Sequence, residues 1–284
     1  MPTIKETRQI IEESQALKLV AQSYSEIAAS KLQRIRAGIE KNRTFFQEVS
    51  QVFHIVNVAA AKRKIGLAAK DKGTISLILT SNNRFYGDIE SKLLRYFVIN
   101  SAKFKTDRIV VGKTAHEFLS TMKYSHSYQP FSFKNDVPEE QELKQIIANI
   151  EGYASVLVYY CRMQSVLVQE PHVVDVIQAP PEHFIDPKKH NIDYIFEPEI
   201  ADMLKFFDSQ IIQLLMEQTF LEAELARTAA RLISMDEAQG NADDLILTQK
   251  KILGSAKKSA ENMRLLETIS TLTAWRRQNG KQNR

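Results

Sequence analysis

The placement of the prolines constrains the fold of this chain more than any other feature of its sequence. Pro2 is followed by no further proline before Pro130, and none lies between Pro198 and Arg284. The other prolines all fall in the central part of the chain, at positions 138, 171, 180, 181 and 187. Because proline breaks the interior of a helix, the two terminal segments can form long helices and the middle cannot.

Apolar residues in both terminal segments recur at steps of three and four, which predicts the narrow seam of a helix pair. In the first segment, from about residue 3 to 58, the stripe consists of Leu17, Val20, Tyr24, Ile27, Leu32, Ile35, Ile39, Phe46, Val49, Phe53 and Val56. The apolar pattern of this segment shifts its register by one residue at the step from Ala28 to Leu32, as a nearly straight helix requires. In the second segment, from about residue 199 to 275, the stripe consists of Leu204, Phe207, Ile211, Leu214, Leu221, Leu225, Leu232, Leu245, Ile252, Leu266 and Ile269. Such helices would be roughly 80 Å and roughly 110 Å long. We expect them to pair antiparallel, with the longer C-terminal helix overhanging.

The central part of the chain alternates between strand and helix patterns. Strands are predicted over 74–81 and 107–112, helices over 88–102, 113–122 and 138–152, and three further strands in YASVLVYYCR, QSVLVQEP and VVDVIQA. This order predicts an α/β protein, in which a small Rossmann-like domain is inserted between the two helices of a long antiparallel coiled coil. The predicted division is an N-terminal coiled-coil helix (1–58), a basic linker (59–73), the α/β domain (74–193), and a turn with the C-terminal coiled-coil helix (194–284).

Charge, cysteine content and hydropathy narrow the class of protein. The net charge of +4 is mild and spread along the chain, so it does not indicate a nucleic-acid-binding protein. Cys161 is the single cysteine, which excludes an internal disulfide and favours a reducing compartment. No apolar run approaches the roughly 20 residues that span a bilayer, and the first residues lack the apolar segment of a signal peptide. We expect a cytosolic protein that meets a membrane only through partners.

The segment VVGKT, residues 110–114, follows a predicted strand and opens a predicted helix, as a phosphate-binding loop would. That motif needs a second glycine five positions before Gly112, where this chain has Asp107. A carboxylate at that place would repel the anion, so an ordinary turn between strand and helix is the better interpretation.

Two other groups of residues could suggest a metal or catalytic site. Three histidines lie beside three aspartates in the proline-rich region, but their spacing fits no zinc pattern and favours a surface loop: His172, His183, His190, Asp175, Asp186 and Asp193. Cys161 ends an apolar strand and is expected to be a small buried hydrophobic residue.

Four carboxylates surround Gly240 in the C-terminal segment: Asp236, Glu237, Asp243 and Asp244. The two pairs are seven residues apart, which on a helix separates their members by roughly 10 Å along the axis. That is too far for one metal ion or a shared proton, so a solvated helix face is expected. Gly240 would cost the helix up to about 1 kcal/mol relative to alanine.

Three stretches of the chain carry the patterns of one known family. The first has Tyr194, Phe196, Glu197 and Pro198 as an aromatic-x-aromatic-Glu-Pro turn, and then Ala230, Arg231, Leu232, Ser234, Met235, Ala238, Gln239, Gly240, Asn241 and Ala242. The second, IAASKLQRIRAGIEKNRTFF, carries Ala28, Ala29, Lys31, Leu32, Arg43 and Phe45. The third, LILTSNNRFYGD, retains Thr80, Ser81 and Gly87. In order and spacing these stretches, with two long helices around a small α/β domain, resemble the gamma subunit of F-type ATP synthases.

The chain departs from that family at several positions. Arg84 and Asp88 replace glycines of the loop after the first strand, and Tyr86 replaces its cysteine. Arg227 stands where the family has a glutamate. Near the C-terminus, Lys257 and Lys258 align with the family's Arg-Gln pair. Lysine keeps a charge there but lacks the planar, bidentate geometry of arginine.

The resemblance implies a function without catalysis in this chain. The chain would be a central rotor shaft that couples ion-driven rotation of the c ring to ATP synthesis or hydrolysis in the alpha/beta head. Its partners would be three alpha and three beta subunits, the epsilon subunit and the c ring. It would hold no metal or cofactor, and would lie on the cytoplasmic side of the inner (plasma) membrane as part of the complex.

The resemblance also implies a role for particular residues. Contacts of the foot with the c ring are expected from Tyr194, Phe196 and Glu197. Contacts with beta are expected from Arg84, Tyr86, Lys257 and Lys258. Bearing contacts inside the head are expected from Met263, Leu265, Leu272 and Trp275. Close packing in the coiled coil is expected from Ala28, Lys31, Leu32, Arg231, Met235, Ala238, Asn241 and Ala242.

Two alternatives stay open at the level of the sequence. One is a gamma-like shaft of a divergent rotary ATPase with another output, and the other is a coiled-coil scaffold protein that does not rotate. The altered loop after the first strand and the Lys257–Lys258 pair are the features that allow them.

Overall fold

The computed structural model of the chain describes residues 3–65, 72–103, 105–177 and 197–282, and of residues 276–282 it describes the backbone alone. In chain order the elements are α1 (Ile4–Lys62), β1 (Lys72–Leu79), α2 (Ile89–Ser101), β2 (Asp107–Val111), α3 (Lys113–Thr121), β3 (Gln129–Phe131), α4 (Glu140–Ile150), β4 (Tyr153–Met163), β5 (Gln169–Asp175) and α5 (Ile200–Gln282). The two long terminal helices and the α/β region between them confirm the predicted architecture. None of the described helices is both long and apolar enough to cross a membrane.

The five described strands form one mixed sheet in the order β3-β2-β1-β4-β5. The strands β3, β2, β1 and β4 run parallel, and β5 runs antiparallel to β4. The central strand β1 places Leu77 opposite Ile109 of β2 and Val158 of β4. Its unbroken apolar run is explained by helices that cover both faces of the sheet.

Each face of the sheet has its own core, and α5 contributes to both. On one face α4 and α5 pack on the strands, with Met216, Phe220 and Ala223 as the buried residues of α5. On the other face α2 and α3 cover the sheet, and Ala226 and Ala230 of α5 join them. The small side chains of Ala223, Ala226 and Ala230 allow α5 to pack close to the strands. This part of α5 therefore belongs to the core of the α/β domain.

Two predictions about the strands are wrong. QSVLVQEP does not form a strand of its own, because residues 164–168 make a turn in which the Val168 N–H donates to the Ser165 carbonyl at 3.2 Å. The short strand β3 is absent from the prediction because it contains Pro130. Proline is tolerated there because β3 lies at the edge of the sheet. The predicted linker also begins too early, since α1 continues to Lys62.

The described chain divides into two compact units. Unit 1 lies within Met1–Glu26 and Met235–Arg284, and unit 2 comprises Ile27–Ser234. In unit 1, Lys18 of α1 and Asp243 of α5 form an ion pair at 2.6 Å, and Ile11, Ala21 and Ile246 are buried.

In unit 2 the two helices pack antiparallel through two apolar clusters of the described residues. Leu32 and Ile35 of α1 lie against Leu225 and Ala229 of α5. Further along, Val56 and Ala60 lie against Ile200 and Leu204, near the end of α1 and the start of α5.

The buried side of α1 differs from the predicted stripe. Apart from Ser50, its buried residues are spaced by three, four or multiples of seven: Thr7, Ile11, Ser14, Ala21, Ala28, Leu32, Ile35, Asn42, Val56 and Ala60. The predicted register shift between Ala28 and Leu32 is therefore wrong. Leu17, Val20 and Ile27 are instead 66%, 52% and 58% exposed. On α5 the predicted Leu245 is 42% exposed, and its neighbour Ile246 takes the buried position at 8%.

Candidate functional site

The loop between β1 and α2, residues 80–88, is held from below by buried hydrogen bonds. The Thr80 hydroxyl donates to the Val111 carbonyl at 2.6 Å, and the Ser81 N–H donates to Oε1 of Glu90 at 2.7 Å. The Asn82 N–H donates to Oδ1 of Asp136 at 2.7 Å. Thr80 and Ser81, which match the family pattern, therefore fix the base of this loop.

Tyr86, which replaces a cysteine of that pattern, points into the protein. Its hydroxyl donates to Oδ2 of Asp136 at 2.7 Å, and the guanidinium of Arg231 lies 4.1 Å from the centre of its ring. Burial, followed by the nearby carboxylate of Glu224, raises the pKa of the Tyr86 hydroxyl well above its ordinary value. Its burial is inconsistent with the expected surface contact to a beta subunit, so that expectation is corrected for Tyr86.

The tip of the same loop is exposed. The Arg84 side chain lies in solvent and forms a surface ion pair with Glu117 at 3.6 Å. Phe85 is largely exposed and has a φ of 72°, which is rare for a bulky residue. Arg84 and Phe85 are thus the residues by which this loop can reach a partner.

Behind the loop, α5 places a buried pair of opposite charges against α1. Arg227 donates from Nε and Nη2 to Oε2 of Glu224, at 3.1 and 2.8 Å, and both side chains are almost fully buried. Lys31 of α1 donates to Oε1 of the same carboxylate. Arg227 also donates to the main-chain carbonyl of Asp136 at 3.3 Å. Arg227 therefore lies at the centre of a closed polar network.

The pKa shifts in this network follow from burial and from the neighbouring charges. Burial alone would lower the pKa of Arg227, but the carboxylates of Glu224 and Glu90 outweigh it, and the pKa is raised. Burial would raise the pKa of Asp136, but hydrogen bonds from Asn83 and Tyr86 dominate and lower it. Burial raises the pKa of Glu90 in spite of its hydrogen bond from Ser81. Arg227 and Asp136 are thus held in their charged forms, whereas Glu90 is held closer to its neutral form.

The start of α3, where VVGKT invited a phosphate-loop interpretation, has its N–H groups engaged within the protein. The Lys113 N–H donates to Oδ1 of Asn82 at 3.1 Å, and the Thr114 N–H donates to the Ser81 carbonyl at 3.2 Å. Gly112 has a φ of 98°, and a Cβ on it would lie 2.5 Å from the Thr80 carbonyl oxygen. The glycine is therefore explained by a close approach of two main chains, and the interpretation as an ordinary turn stands.

Of the remaining chemical candidates, Cys161 is buried as expected, whereas His172 and Asp175 lie on β5 and not in the expected surface loop. Cys161 is buried in β4, and burial raises the pKa of its thiol to about 12. Among the described residues there is no group of three or more His, Cys, Asp and Glu side chains that could hold a metal ion. His172 lies on β5 with its ring 5.7 Å from that of Tyr160, while His183, His190, Asp186 and Asp193 lie outside the described residues.

The residues expected to pack closely in the coiled coil differ in their burial and contacts. Ala28 and Leu32 are buried on α1. Arg231 instead lies over the Tyr86 ring and donates from Nη2 to the Arg84 carbonyl at 3.1 Å, so it serves the α/β domain. Asn241 is exposed, whereas Met235, Ala238 and Ala242 are half-buried.

The four carboxylates around Gly240 lie on an exposed part of α5. Asp243 pairs with Lys18 across the two helices, which the sequence did not indicate. Outside the neighbouring backbone of its own helix, a Cβ on Gly240 would meet no atom of the described residues within 4 Å, so the described chain does not require a glycine there.

The remaining positions expected to contact partners lie shortly before α5 and in the C-terminal part of α5. Glu197 is exposed shortly before α5, while Tyr194 and Phe196 lie outside the described residues. Every residue from Lys257 to Trp275 is exposed. This stretch includes all the expected contacts of the C-terminal segment: Lys257, Lys258, Met263, Leu265, Leu272 and Trp275. Those roles stay predictions, and the exposure of these side chains is what the roles require.

Sequence reasoning misses the buried charges of Glu224, Glu90 and Asp136. A signal exists for Glu224, because it precedes the apolar position Leu225 and lies three residues from Arg227, in a stretch otherwise rich in alanine. Asp136 has no comparable signal, since it lies in a loop far from its partners in sequence.

Comparisons with known proteins agree with this architecture. The family model described as ATP synthase matches residues 3–274. The ATP synthase gamma chain of Desulforudis audaxviator is 24% identical over 267 residues, which cover 87% of this chain and 90% of the relative. That of Trichlorobacter lovleyi is 25% identical over 282 residues, which cover 94% and 93%.

Solved structures show the same fold. A chain in the mitochondrial ATP synthase of Euglena gracilis, in a structure of OSCP, F1 and the c ring, matches with a TM-score of 0.55 at 15% identity, covering 87% of this chain and 95% of that one. A chain in the central stalk and c ring of the Tetrahymena thermophila mitochondrial enzyme matches with a TM-score of 0.56 at 16% identity, covering 77% and 99%.

Proposed function

The chain belongs to the ATP synthase family, and on that premise we propose that it is the gamma subunit, the central rotor shaft of an F-type ATP synthase. The observation that carries the proposal is the family match over residues 3–274 together with two long helices paired antiparallel around an α/β domain. The shaft couples rotation of the c ring to ATP synthesis or hydrolysis in the alpha/beta head. The chain itself is a non-catalytic subunit.

The surface of the C-terminal part of α5 suits a shaft that lies inside the head. Its apolar side chains, Met263, Leu265, Leu272 and Trp275, are exposed in the isolated chain. Large exposed apolar side chains in a series are typical of a surface that a partner covers. We assign them to bearing contacts with the alpha and beta subunits, and Lys257 and Lys258 to contacts with beta.

Further contacts with partners involve the α/β domain and the segment just before α5. Arg84 at the tip of the loop after β1 is assigned to beta, and Glu197, with Tyr194 and Phe196, to the foot on the c ring. Support for Arg84 and Glu197 comes from their exposure. The epsilon subunit completes the set of partners.

We propose that the complex lies on the cytoplasmic side of the inner (plasma) membrane. The single cysteine, which lies buried in β4, is compatible with a reducing compartment. The coupled ion, H⁺ or Na⁺, is a property of the c ring rather than of this chain.

Purification of the tagged chain from its native membranes tests the proposal. The expected result is a complex with alpha, beta and epsilon subunits that hydrolyses ATP. A free homo-oligomer without an ATPase partner would refute the proposal and favour the scaffold alternative. An intact rotary complex whose hydrolysis drives a different output would favour the divergent shaft.

A further inference from the structure

Within unit 2, α1 and α5 are attached to the α/β domain in very different ways. The middle of α5 lies in the cores on both faces of the sheet, through Met216, Phe220 and Ala226 among others. The described apolar cluster of α1 at the same level is small: Leu32 and Ile35 pack against α5, and Met163 of β4 is its one partly buried neighbour from the sheet. Under a load that twists the domain against the helix pair, α1 is therefore the element that can slip.

A charged contact fixes α1 at this level. Lys31 of α1 donates to Oε1 of Glu224 on α5, whose side chain is completely buried. The other oxygen of that carboxylate accepts both N–H groups of Arg227, at 3.1 and 2.8 Å. The orientation of Glu224, and with it the position of Lys31, is therefore set from two sides.

The contact continues into the α/β domain. Arg227 donates to the main-chain carbonyl of Asp136, in the segment between β3 and α4. The carboxylate of Asp136 accepts the Asn82 N–H and the Tyr86 hydroxyl, each at 2.7 Å, in the loop between β1 and α2. A continuous path of oriented hydrogen bonds thus leads from α1 through α5 to two loops of the domain.

Buried ion pairs are a poor means of stabilising a fold, because the loss of hydration offsets most of their attraction. They do fix orientation and register, since their hydrogen bonds tolerate little displacement. Here Glu224 provides the neutralising carboxylate three residues before Arg227, on the same helix.

We propose that Lys31, Glu224, Arg227 and Asp136 form a register lock, which holds α1 in place on α5 and on the α/β domain when the shaft carries torque. These are positioning residues, since each of them holds another group of the protein in place. The proposal rests on the proposed function, because only a shaft under load needs such a lock. Its loss uncouples rotation from transport before it unfolds the chain.

The test uses the assembled complex in inverted membrane vesicles, in which ATP hydrolysis and ATP-driven ion uptake are measured together. Uptake is followed with a pH-sensitive dye and with radioactive sodium. The variants are Lys31→Met and the double variant E224Q/R227M. The double variant removes the buried charges of Glu224 and Arg227 and nearly keeps their volume. Lys31→Arg keeps the charge. Lys18→Met is the matched control, because Lys18 forms the exposed ion pair between the same two helices with Asp243.

The expected result is a loss of ion uptake per ATP hydrolysed in Lys31→Met and in E224Q/R227M, with assembly and hydrolysis retained. Lys31→Arg and Lys18→Met couple as the wild type does. If E224Q/R227M does not assemble, Lys31→Met decides, since the Lys31 side chain is partly exposed and its loss leaves the apolar contacts intact. Wild-type coupling in an assembled Lys31→Met complex would overturn the register lock. A wild-type chain that joins no ATPase complex would instead refute the proposed function.

Discussion

Two glycines of this chain should respond in opposite ways to the same substitution by alanine. Gly240 lies in the helical main chain of α5, and beyond the neighbouring backbone of that helix no atom of the described residues lies within 4 Å of the position that a Cβ would take. Alanine at this position removes the helix penalty of glycine, which amounts to about 0.5–1 kcal/mol. Gly240→Ala should therefore raise the free energy of unfolding by about that amount and leave coupled ATPase activity nearly unchanged.

Gly112→Ala should have a large destabilising effect. Its φ of 98° is strained for any side chain, and the new Cβ would lie 2.5 Å from the Thr80 carbonyl oxygen. The Thr80 main chain cannot retreat easily, because its N–H donates to the Val111 carbonyl at 2.9 Å. Backbone strain and overpacking together predict a loss of about 2–6 kcal/mol.

Urea unfolding of the full chain, followed by circular dichroism, measures the change in the free energy of unfolding for both variants. The dependence of this free energy on urea concentration should be the same in each variant as in the wild type. Gly254→Ala is a matched control for Gly240→Ala, because Gly254 also lies in α5 with open space around it. Wild-type stability of Gly112→Ala would refute the close-approach argument. Failure of the Gly240→Ala chain to assemble would show that a partner requires the glycine, which would refute the argument from the isolated chain.

Three further predictions concern buried groups. Ile246→Ala should cost about 2 kcal/mol or more in urea unfolding, whereas Leu245→Ala should stay within about 0.5 kcal/mol; equal effects would contradict the observed seam. Tyr86→Phe should cost about 1–3 kcal/mol, because it leaves a buried oxygen of Asp136 without its hydroxyl partner; a neutral effect would argue against the hydrogen bond. The folded-state pKa of Glu90 is raised, so its contribution to stability is complete below the ordinary glutamate pKa and is lost as the pH rises through the raised value. The free energy of unfolding, measured over a pH series, should fall with rising pH in the wild type and not in Glu90→Gln. The same pH dependence in both proteins would contradict the raised pKa of Glu90.

The long helices and the α/β domain can be predicted because proline placement and hydrophobic period depend on local sequence alone. The seam of α1 in unit 1 cannot, because it is built from small and polar residues such as Thr7, Ser14 and Ala21. Large apolar residues such as Leu17 and Val20 lie outside it. The prediction assumes that a hydrophobic stripe is buried within the same chain. In this part of α1 that assumption is wrong, because the stripe is exposed.

The buried network shows a second limit of sequence reasoning. Arg227 stands out in the sequence as a departure from the family, but its effect depends on contacts with residues that are distant in the sequence, such as Lys31 and Asp136. The expectation of a surface position for Tyr86 is wrong for the same reason, since its place in a loop gives no sign of the buried partner of its hydroxyl. Such long-range polar pairs leave no periodic signal, so only the structure reveals them.

Direct observation of rotation tests the central claim most closely. Ile99 is exposed on α2, so Ile99→Cys provides an attachment point for a bead, and the native Cys161 does not compete because it is buried with a pKa raised to about 12. With the alpha/beta head fixed to a surface, addition of ATP should turn the bead continuously in one direction. ATP hydrolysis by the same immobilised complexes without rotation of the bead would contradict the assignment of this chain as the shaft.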